Sequence, residues 1–368
     1  MEQYDLVIAG AGPAGSILAK TVGKKFRVLM VEMRNVHAPL GTTREKSCGG
    51  MLNTSAQKVL ASFGMPLPKE VLQSPQVFTV RAIDYDNHDE RYYQKQYVNI
   101  DRETFDRWLL AEALMEDGVE IVDNTKVIGF TPHPDYVDVQ LRKENGETES
   151  VRTRYFVGAD GGGSLVRRHL EEKFSGPDEP KYPIQRYVSL QQWFEVEEDL
   201  PYYVALFDQK VTDYYSWMIP KNGQVILGAA IPEGKDVRKR FEHLKKRANQ
   251  SGFNLGEPVK ERGAILLRPY GPMSVNLGKG RVFLAGEAAG LISSSSEEGI
   301  SYAMSSGREL GEALLEGKTP ADVEAKYRKG VRHKKWGLAV KSLKAIVMYN
   351  PVLRGLVFKT GLLSMDVK

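Results

Sequence analysis

The chain has 368 residues, 42% hydrophobic and 27% charged, with a formal net charge of +4 and a single cysteine. A chain of this length buries a large core and divides into more than one domain or subdomain. No apolar run approaches the ~20 residues of a transmembrane helix, and one cysteine excludes an internal disulfide. The chain enters its first strand within four residues, with no apolar h-region, so a cytoplasmic location is expected. None of the six histidines sits in a metal or catalytic pattern, and HExxH, CxxC and the nucleophile elbow are lacking, so no metal is expected.

Residues 4–32, YDLVIAGAGPAGSILAKTVGKKFRVLMVE, read as strand, glycine turn, helix, strand and closing acid. Gly10 permits the tight turn, Gly12 lets the backbone approach a pyrophosphate, and Gly15 lets helix and strand pack closely, with Pro13 and Ala14 opening the helix. Phosphates sit at the positive end of such a helix. The Glu32 carboxylate accepts hydrogen bonds from both ribose hydroxyls and repels a 2′-phosphate, which points to FAD or NAD rather than NADP.

The loop of residues 34–55 is too long for an ordinary connection and reads as functional. It holds Lys46-Ser47-Cys48-Gly49-Gly50. Cys48 is a candidate proton donor beside a cofactor, and it also reads as a small buried residue. Arg102 opens a helix with apolar residues at 105, 108, 109, 113 and 114 and a stop at Gly118. GVEIVD, KVIGFT, YVDVQL and VRTRYFVGA read as short strands, the last running into Ala159-Asp160-Gly161. Stretches at 187–196, 202–209, 214–219, 225–231 and 262–268 predict a mostly antiparallel second sheet. Within it, Tyr215 and Trp217 lie two apart and share one face, as an aromatic wall or as plain core.

RVFLAGEAAGLISSSSEEGISYAMSSG then predicts a strand over 282–285, a Gly286-Glu287 turn and a helix starting near Glu298. Asp160 and Glu287 each stand on a strand-to-helix turn, from which a carboxylate reaches a ribityl hydroxyl. The turn through Gly299 and Ile300 places backbone N–H groups and a positive helix end where a reduced flavin carries charge. From residue 326 onward, eleven lysines and arginines stand against one acid. That tail carries +10, which leaves the first 325 residues at −6. Interleaved with Trp336, Leu338, Val340, Leu343 and Ile346, these bases read as amphipathic helices for an anionic membrane surface, or as helices packed on the protein with solvated lysines. No nucleic-acid recognition module is present.

The three turns in this order resemble the FAD-binding pattern of the p-hydroxybenzoate hydroxylase-like flavoproteins, over about residues 1–310. The CGG loop and Tyr215-Ser216-Trp217-Met218-Ile219-Pro220 resemble the KxCGG and YxWxFP segments of the geranylgeranyl reductase-like family, with Ile219 in place of Phe and Glu287 in place of the usual Asp. The resemblance implies an α/β fold: a discontinuous Rossmann-like FAD domain (1–70, 100–175, 276–317), an interleaved antiparallel substrate domain (71–99, 176–275) and a basic helical tail (318–368). It implies FAD as cofactor, with Arg102 and the backbone around Val127 reaching it.

The implied activity is reduction of carbon–carbon double bonds in a lipophilic, isoprenoid-like substrate, with electrons from a nicotinamide nucleotide or a ferredoxin-like reductase. Two alternatives stand beside it. One is an oxygen-using hydroxylase or halogenase, because halogenases carry a WxWxIP segment. The other is a flavin-binding protein without turnover, motivated by Glu287 and the serine run.

Overall fold

The computed structural model describes residues 2–42, 47–174 and 181–360. Its first half runs β1 (Gln3–Ala9), α1 (Pro13–Val22), β2 (Val28–Val31), β3 (Met51–Leu52), α2 (Thr54–Ser62), β4 (Val77–Asp84), β5 (Asp89–Asn99), α3 (Arg102–Leu114), β6 (Val119–Val122), β7 (Thr125–Pro132), β8 (Val137–Lys143), β9 (Thr148–Gly158) and α4 (Leu165–Lys173). The second half runs β10 (Ile184–Glu195), β11 (Tyr203–Phe207), β12 (Ser216–Lys221), β13 (Gln224–Pro232), α5 (Val237–Gln250), β14 (Lys260–Pro269), β15 (Gly278–Lys279), β16 (Val282–Leu284), α6 (Ile300–Glu316), α7 (Pro320–Gly330), α8 (Arg332–Tyr349) and α9 (Pro351–Thr360). The chain forms two compact units, one of residues 1–44, 103–184 and 267–341, the other of 45–102, 185–266 and 342–368.

The first unit is built on a sheet ordered β15-β16-β9-β1-β2-β6, with β8 and β7 continuing from β9. β1 runs parallel to β2 and β9, and β9 parallel to β16. Its central strands are apolar on both faces, with Leu6, Val7, Ile8, Phe156 and Val157 fully buried, as a parallel strand covered on both sides requires. α1 packs on α6 through small residues. A Cβ at Gly307 would stand 2.3 Å from the Ala14 carbonyl oxygen, so only glycine permits that approach.

The second unit holds a sheet ordered β14-β10-β13-β12-β11-β4-β5-β3. β11 through β13 pair antiparallel, whereas β11 pairs parallel with β4. Alternation sorts its residues by face. Met218 joins a core with Leu206, Leu227 and the α5 residues Phe241 and Leu244, while Trp217 and Ile219 join Tyr187, Tyr214 and Ile226.

Residues 318–368 do not form a separate tail: α7 and α8 as far as residue 341 belong to the first unit, and the remainder to the second. Residues 45–70, expected in the FAD domain, belong to the second unit. In the first unit Tyr327 is fully buried and donates its hydroxyl to the Leu284 carbonyl at 2.9 Å. In the second, Phe358 packs against Val80, Ala205 and Phe207. No helix among the described residues is long and apolar enough to cross a membrane.

Candidate functional site: the glycine turns and the cysteine loop

After β1 the backbone turns at Gly10, with φ +100°, a conformation L side chains rarely adopt. A Cβ on Gly10 would lie 2.6 Å from the Ala159 oxygen, and one on Gly15 would lie 2.1 Å from the Gly10 oxygen. Gly12 differs: a Cβ there would meet nothing within 4 Å. Two of the three glycines are therefore demanded by packing, and the third keeps a cradle clear that a side chain would fill, which fits a pyrophosphate.

Helix capping separates the same elements. α2, α4, α5 and α7 begin under the side chains of Asn53, Ser164, Asp236 and Thr319. α1 and α6 begin at Gly12 and Gly299 with no side-chain cap. The N–H groups of Ala14 and Gly15, and those at Ile300, thus stand at positive helix ends that no side chain of their own N-cap satisfies.

Three predicted turns come together in the first unit. The Gly10 turn abuts Ala159-Asp160, and a Cβ on Gly286 (φ +63°) would stand 3.0 Å from the Ala14 methyl group. Glu32 accepts the Ala11 N–H at 2.9 Å on one oxygen and the Arg34 N–H and Nε, both at 3.0 Å, on the other. Burial pushes the Glu32 carboxyl up, but the Arg34 guanidinium outweighs it and holds the group below the usual carboxylate range.

The two other acids are engaged within the protein. Asp160 accepts from Ser164 Oγ at 2.5 Å, the Leu165 N–H at 2.8 Å and the Val166 N–H at 3.4 Å, so most of its acceptor capacity is spent on the start of α4. Burial holds its carboxyl above the usual range despite those bonds. Glu287 is buried and accepts the Leu267 N–H at 3.3 Å. Behind it Arg167 donates to the carbonyls of Ser274 (3.1 Å) and Ala288 (3.4 Å) and props the turn. Val127 lies on β7, half-buried against the same core.

Arg102, Cys48, Tyr215 and Trp217 belong to the second unit. Arg102 is buried at the first residue of α3. Lys46 lies outside the described residues. Two motifs far apart in sequence meet in this unit. A Cβ on Gly49 would lie 2.2 Å from Ile219 Cδ1, so the cysteine loop lies against the Tyr215–Pro220 segment, and a side chain there would require the Ile219 side chain to shift.

Gly50 donates its N–H to Cys48 Sγ at 3.5 Å. The Tyr215 and Trp217 rings stand 5.7 Å apart, and Tyr215 also neighbours Tyr214 at 5.1 Å and Tyr349 at 6.3 Å. Trp217 is 5% exposed and lies on Gly228. Its Nε1 and the Ser47 Oγ are buried polar atoms with no hydrogen-bond partner among the described residues.

Three residues of these sites carried no sequence signal strong enough to single them out: Arg34, Lys221 and Asn99. Arg34 could have been found from its position two after Glu32. Lys221 ends an otherwise apolar strand, and Asn99 precedes the Ile100-Asp101-Arg102 stretch, but their partners are distant in the chain.

Comparison with known proteins places the chain in a family. The family described as FAD binding domain matches residues 3–324. Protein CbrA of Escherichia coli O6:H1 strain CFT073 is 37% identical over 361 residues, covering 98% of this chain and 94% of that protein. Two solved structures share the fold. A geranylgeranyl bacteriochlorophyll reductase-like protein from Thermoplasma acidophilum has a TM-score of 0.75 at 18% identity, covering 98% of both chains. The myxobacterial chondrochloren halogenase CndH has 0.69 at 16%, covering 92% of this chain and 82% of its own. With the glycine cradle and the two helix ends without side-chain caps in place, the chain is a member of the FAD-binding-domain family of flavoenzymes, with FAD as its cofactor.

Proposed function

We propose that the protein is an FAD-dependent reductase that saturates carbon–carbon double bonds of a lipophilic, isoprenoid-like substrate. The observation that carries this reading is the meeting of the Cys48-Gly49-Gly50 loop with Ile219, which shares an apolar cluster with Trp217. It sets a thiol, an apolar and aromatic wall and two unsatisfied buried donors within one unit. Bound FAD, once reduced by the electron donor, would supply the hydride. The residues bind and orient: Trp217 and Tyr215 present an apolar face to a polyunsaturated chain, Ser47 Oγ and Trp217 Nε1 offer hydrogen bonds to a polar end, and the Cys48 thiol gives a proton to the carbon opposite the hydride. The electron donor is a nicotinamide nucleotide or a ferredoxin-like reductase.

A surface feature supports a lipid substrate. Along α8, Trp336, Val340, Leu343 and Ile346 are between 54% and 74% exposed and form one helical stripe. No acid occurs from residue 332 to 360. We propose that this basic, apolar face rests on an anionic membrane surface.

A second reading is oxygen-dependent halogenation or hydroxylation, favoured by the isoleucine of Trp217-Met218-Ile219-Pro220. Anaerobic reduction followed by rapid mixing with oxygen separates the two. Direct return to the oxidised flavin spectrum, with polyprenyl products heavier by two hydrogens, is expected for the reductase. A long-lived spectral species distinct from oxidised and reduced flavin overturns it in favour of oxygen chemistry.

A further inference from the structure

The cysteine loop rests on a buried charge. Lys221, the last residue of β12, is 9% exposed, and its Nζ donates to Asn99 Oδ1 at 2.5 Å, the Ile100 carbonyl at 2.7 Å and the Gly50 carbonyl at 3.3 Å. These three acceptors use all three ammonium protons. Gly50 is thereby held three times: its carbonyl accepts the Ile100 N–H at 2.9 Å and the Lys221 ammonium at 3.3 Å, and its N–H goes to Cys48 Sγ at 3.5 Å. Its own backbone needs this support and this residue: φ is +62°, and a Cβ would stand 2.2 Å from the Ile100 oxygen and 2.9 Å from Lys221 Nζ. Asn99 is fixed in turn, its Nδ2 donating to the carbonyls of Pro75 at 2.9 Å and Pro220 at 2.8 Å.

We propose that Lys221 is a positioning residue for the cysteine loop, holding the Gly49-Gly50 turn against β12 and supplying the buried positive charge that sets the proton affinity of the Cys48 thiol. Among the described residues the ionisable groups facing Lys221 are Cys48 and Asp101; its three direct partners are neutral. Burial pushes the ammonium down to about 7, against the opposing pull of Cys48 and Asp101. The coupling is reciprocal: a thiolate favours the ammonium, and the ammonium favours the thiolate. Near neutral pH the pair therefore shares protons. A neutral amine has only two donors for three acceptors, so the longest bond, to Gly50, is the one released as the lysine deprotonates.

This deepens the proposed role of Cys48 and rests on it, but its test needs no substrate or turnover. Cys48 is the only cysteine, so iodoacetamide alkylation of the FAD-loaded full chain reports that thiol alone. The alkylation rate is measured between pH 6 and 10 in wild type, Lys221→Met and Lys221→Arg. In Lys221→Met the midpoint is expected to rise by at least about one unit, lowering the rate at pH 7 about tenfold, with Lys221→Arg close to wild type. Superimposable profiles in wild type and Lys221→Met overturn the proposal.

Should Lys221→Met fail to fold, the reciprocal effect is read in ¹³Cε-lysine spectra of wild type and Cys48→Ala. Loss of the thiol is expected to lower the Lys221 midpoint, and an unchanged midpoint overturns the proposal. A failed polyprenyl assay with an intact alkylation shift refutes the substrate reading and leaves the Lys221–Cys48 linkage standing.

Discussion

Gly12 and Gly15 lie three residues apart and should answer the same substitution in opposite ways. A methyl on Gly15 collides with backbone at 2.1 Å, whereas one on Gly12 meets nothing within 4 Å. Gly15→Ala is expected to cost about 1–3 kcal/mol, as overpacking does, seen as a lower Tm. Gly12→Ala is expected to keep the apoprotein Tm and to purify with little flavin absorbance. Equal flavin content in Gly12→Ala and wild type would sink the assignment of that cradle to the pyrophosphate. Residues of this kind were legible in the sequence because the motif is local: turn, helix and acid follow within thirty positions. Lys221 was not, because its acceptors lie 121 to 171 positions away and no local pattern marks them. Asp160 was read as a cofactor ligand from its turn. Its engagement with α4 depends on Ser164 and two backbone N–H groups, which the turn alone does not reveal.

At the scale of elements, α9 is fastened to the second sheet by charge. Arg354 donates to Asp84 at 2.7 and 2.8 Å and to Asp86 at 2.7 Å, with Arg354 1% and Asp84 1% exposed. Burial raises the Asp84 carboxyl, but Arg354 and Asn87 outweigh it and hold the group below its ordinary value. A carboxyl depressed in the folded state adds stability that is complete above its unfolded value of about 3.9 and disappears as pH falls through the folded one.

Arg354→Met leaves Asp84 buried and unpaired. It is expected to cost about 3–5 kcal/mol at pH 7, with the Tm gap to wild type closing as pH drops toward 3. A gap independent of pH would exclude the ion pair as its cause. In sequence this arginine counted as one more base of an amphipathic tail. The strands were better served, since those predicted at 187–196, 202–209 and 225–231 correspond to Ile184–Glu195, Tyr203–Phe207 and Gln224–Pro232. Alternation survives in a half-buried strand. α5 was missed because only Phe241, Leu244 and Ala248 of its 14 residues are buried and the rest is largely charged.

Over the whole molecule, the basic end of the chain is both anchor and surface. Lys334 pairs with Glu309, and Lys341 with Glu298 at 2.9 Å. With Lys326 on Glu316, Arg328 on Glu324, and Arg354, at least five of the tail's described cations are thus paired within the protein, and the outward face depends on the apolar stripe as much as on charge. Truncation after Gly317 would strip Val323, Tyr327 and Leu338 from the core, so point changes are the sound probe. The full chain is expected to bind phosphatidylglycerol vesicles with a blue shift of Trp336 fluorescence, and a Trp336→Ser, Leu343→Ser double variant to bind at least about tenfold more weakly, from the apolar area lost. Equal binding by the two proteins would refute the membrane face.

The first sheet pairs β1 with β9 and β9 with β16, and this ordering has a consequence on the ribosome. The amino-terminal strand emerges first yet has no neighbour on one side until some 150 residues later, and the sheet gains its next strand only with residues 282–284. Five passages of the chain between the two units mean that neither unit is finished before nearly all of it has been translated. Synthesis therefore leaves apolar strand edges open for most of its course, and nascent-chain chaperones should engage this protein from its first strand until α7 is released.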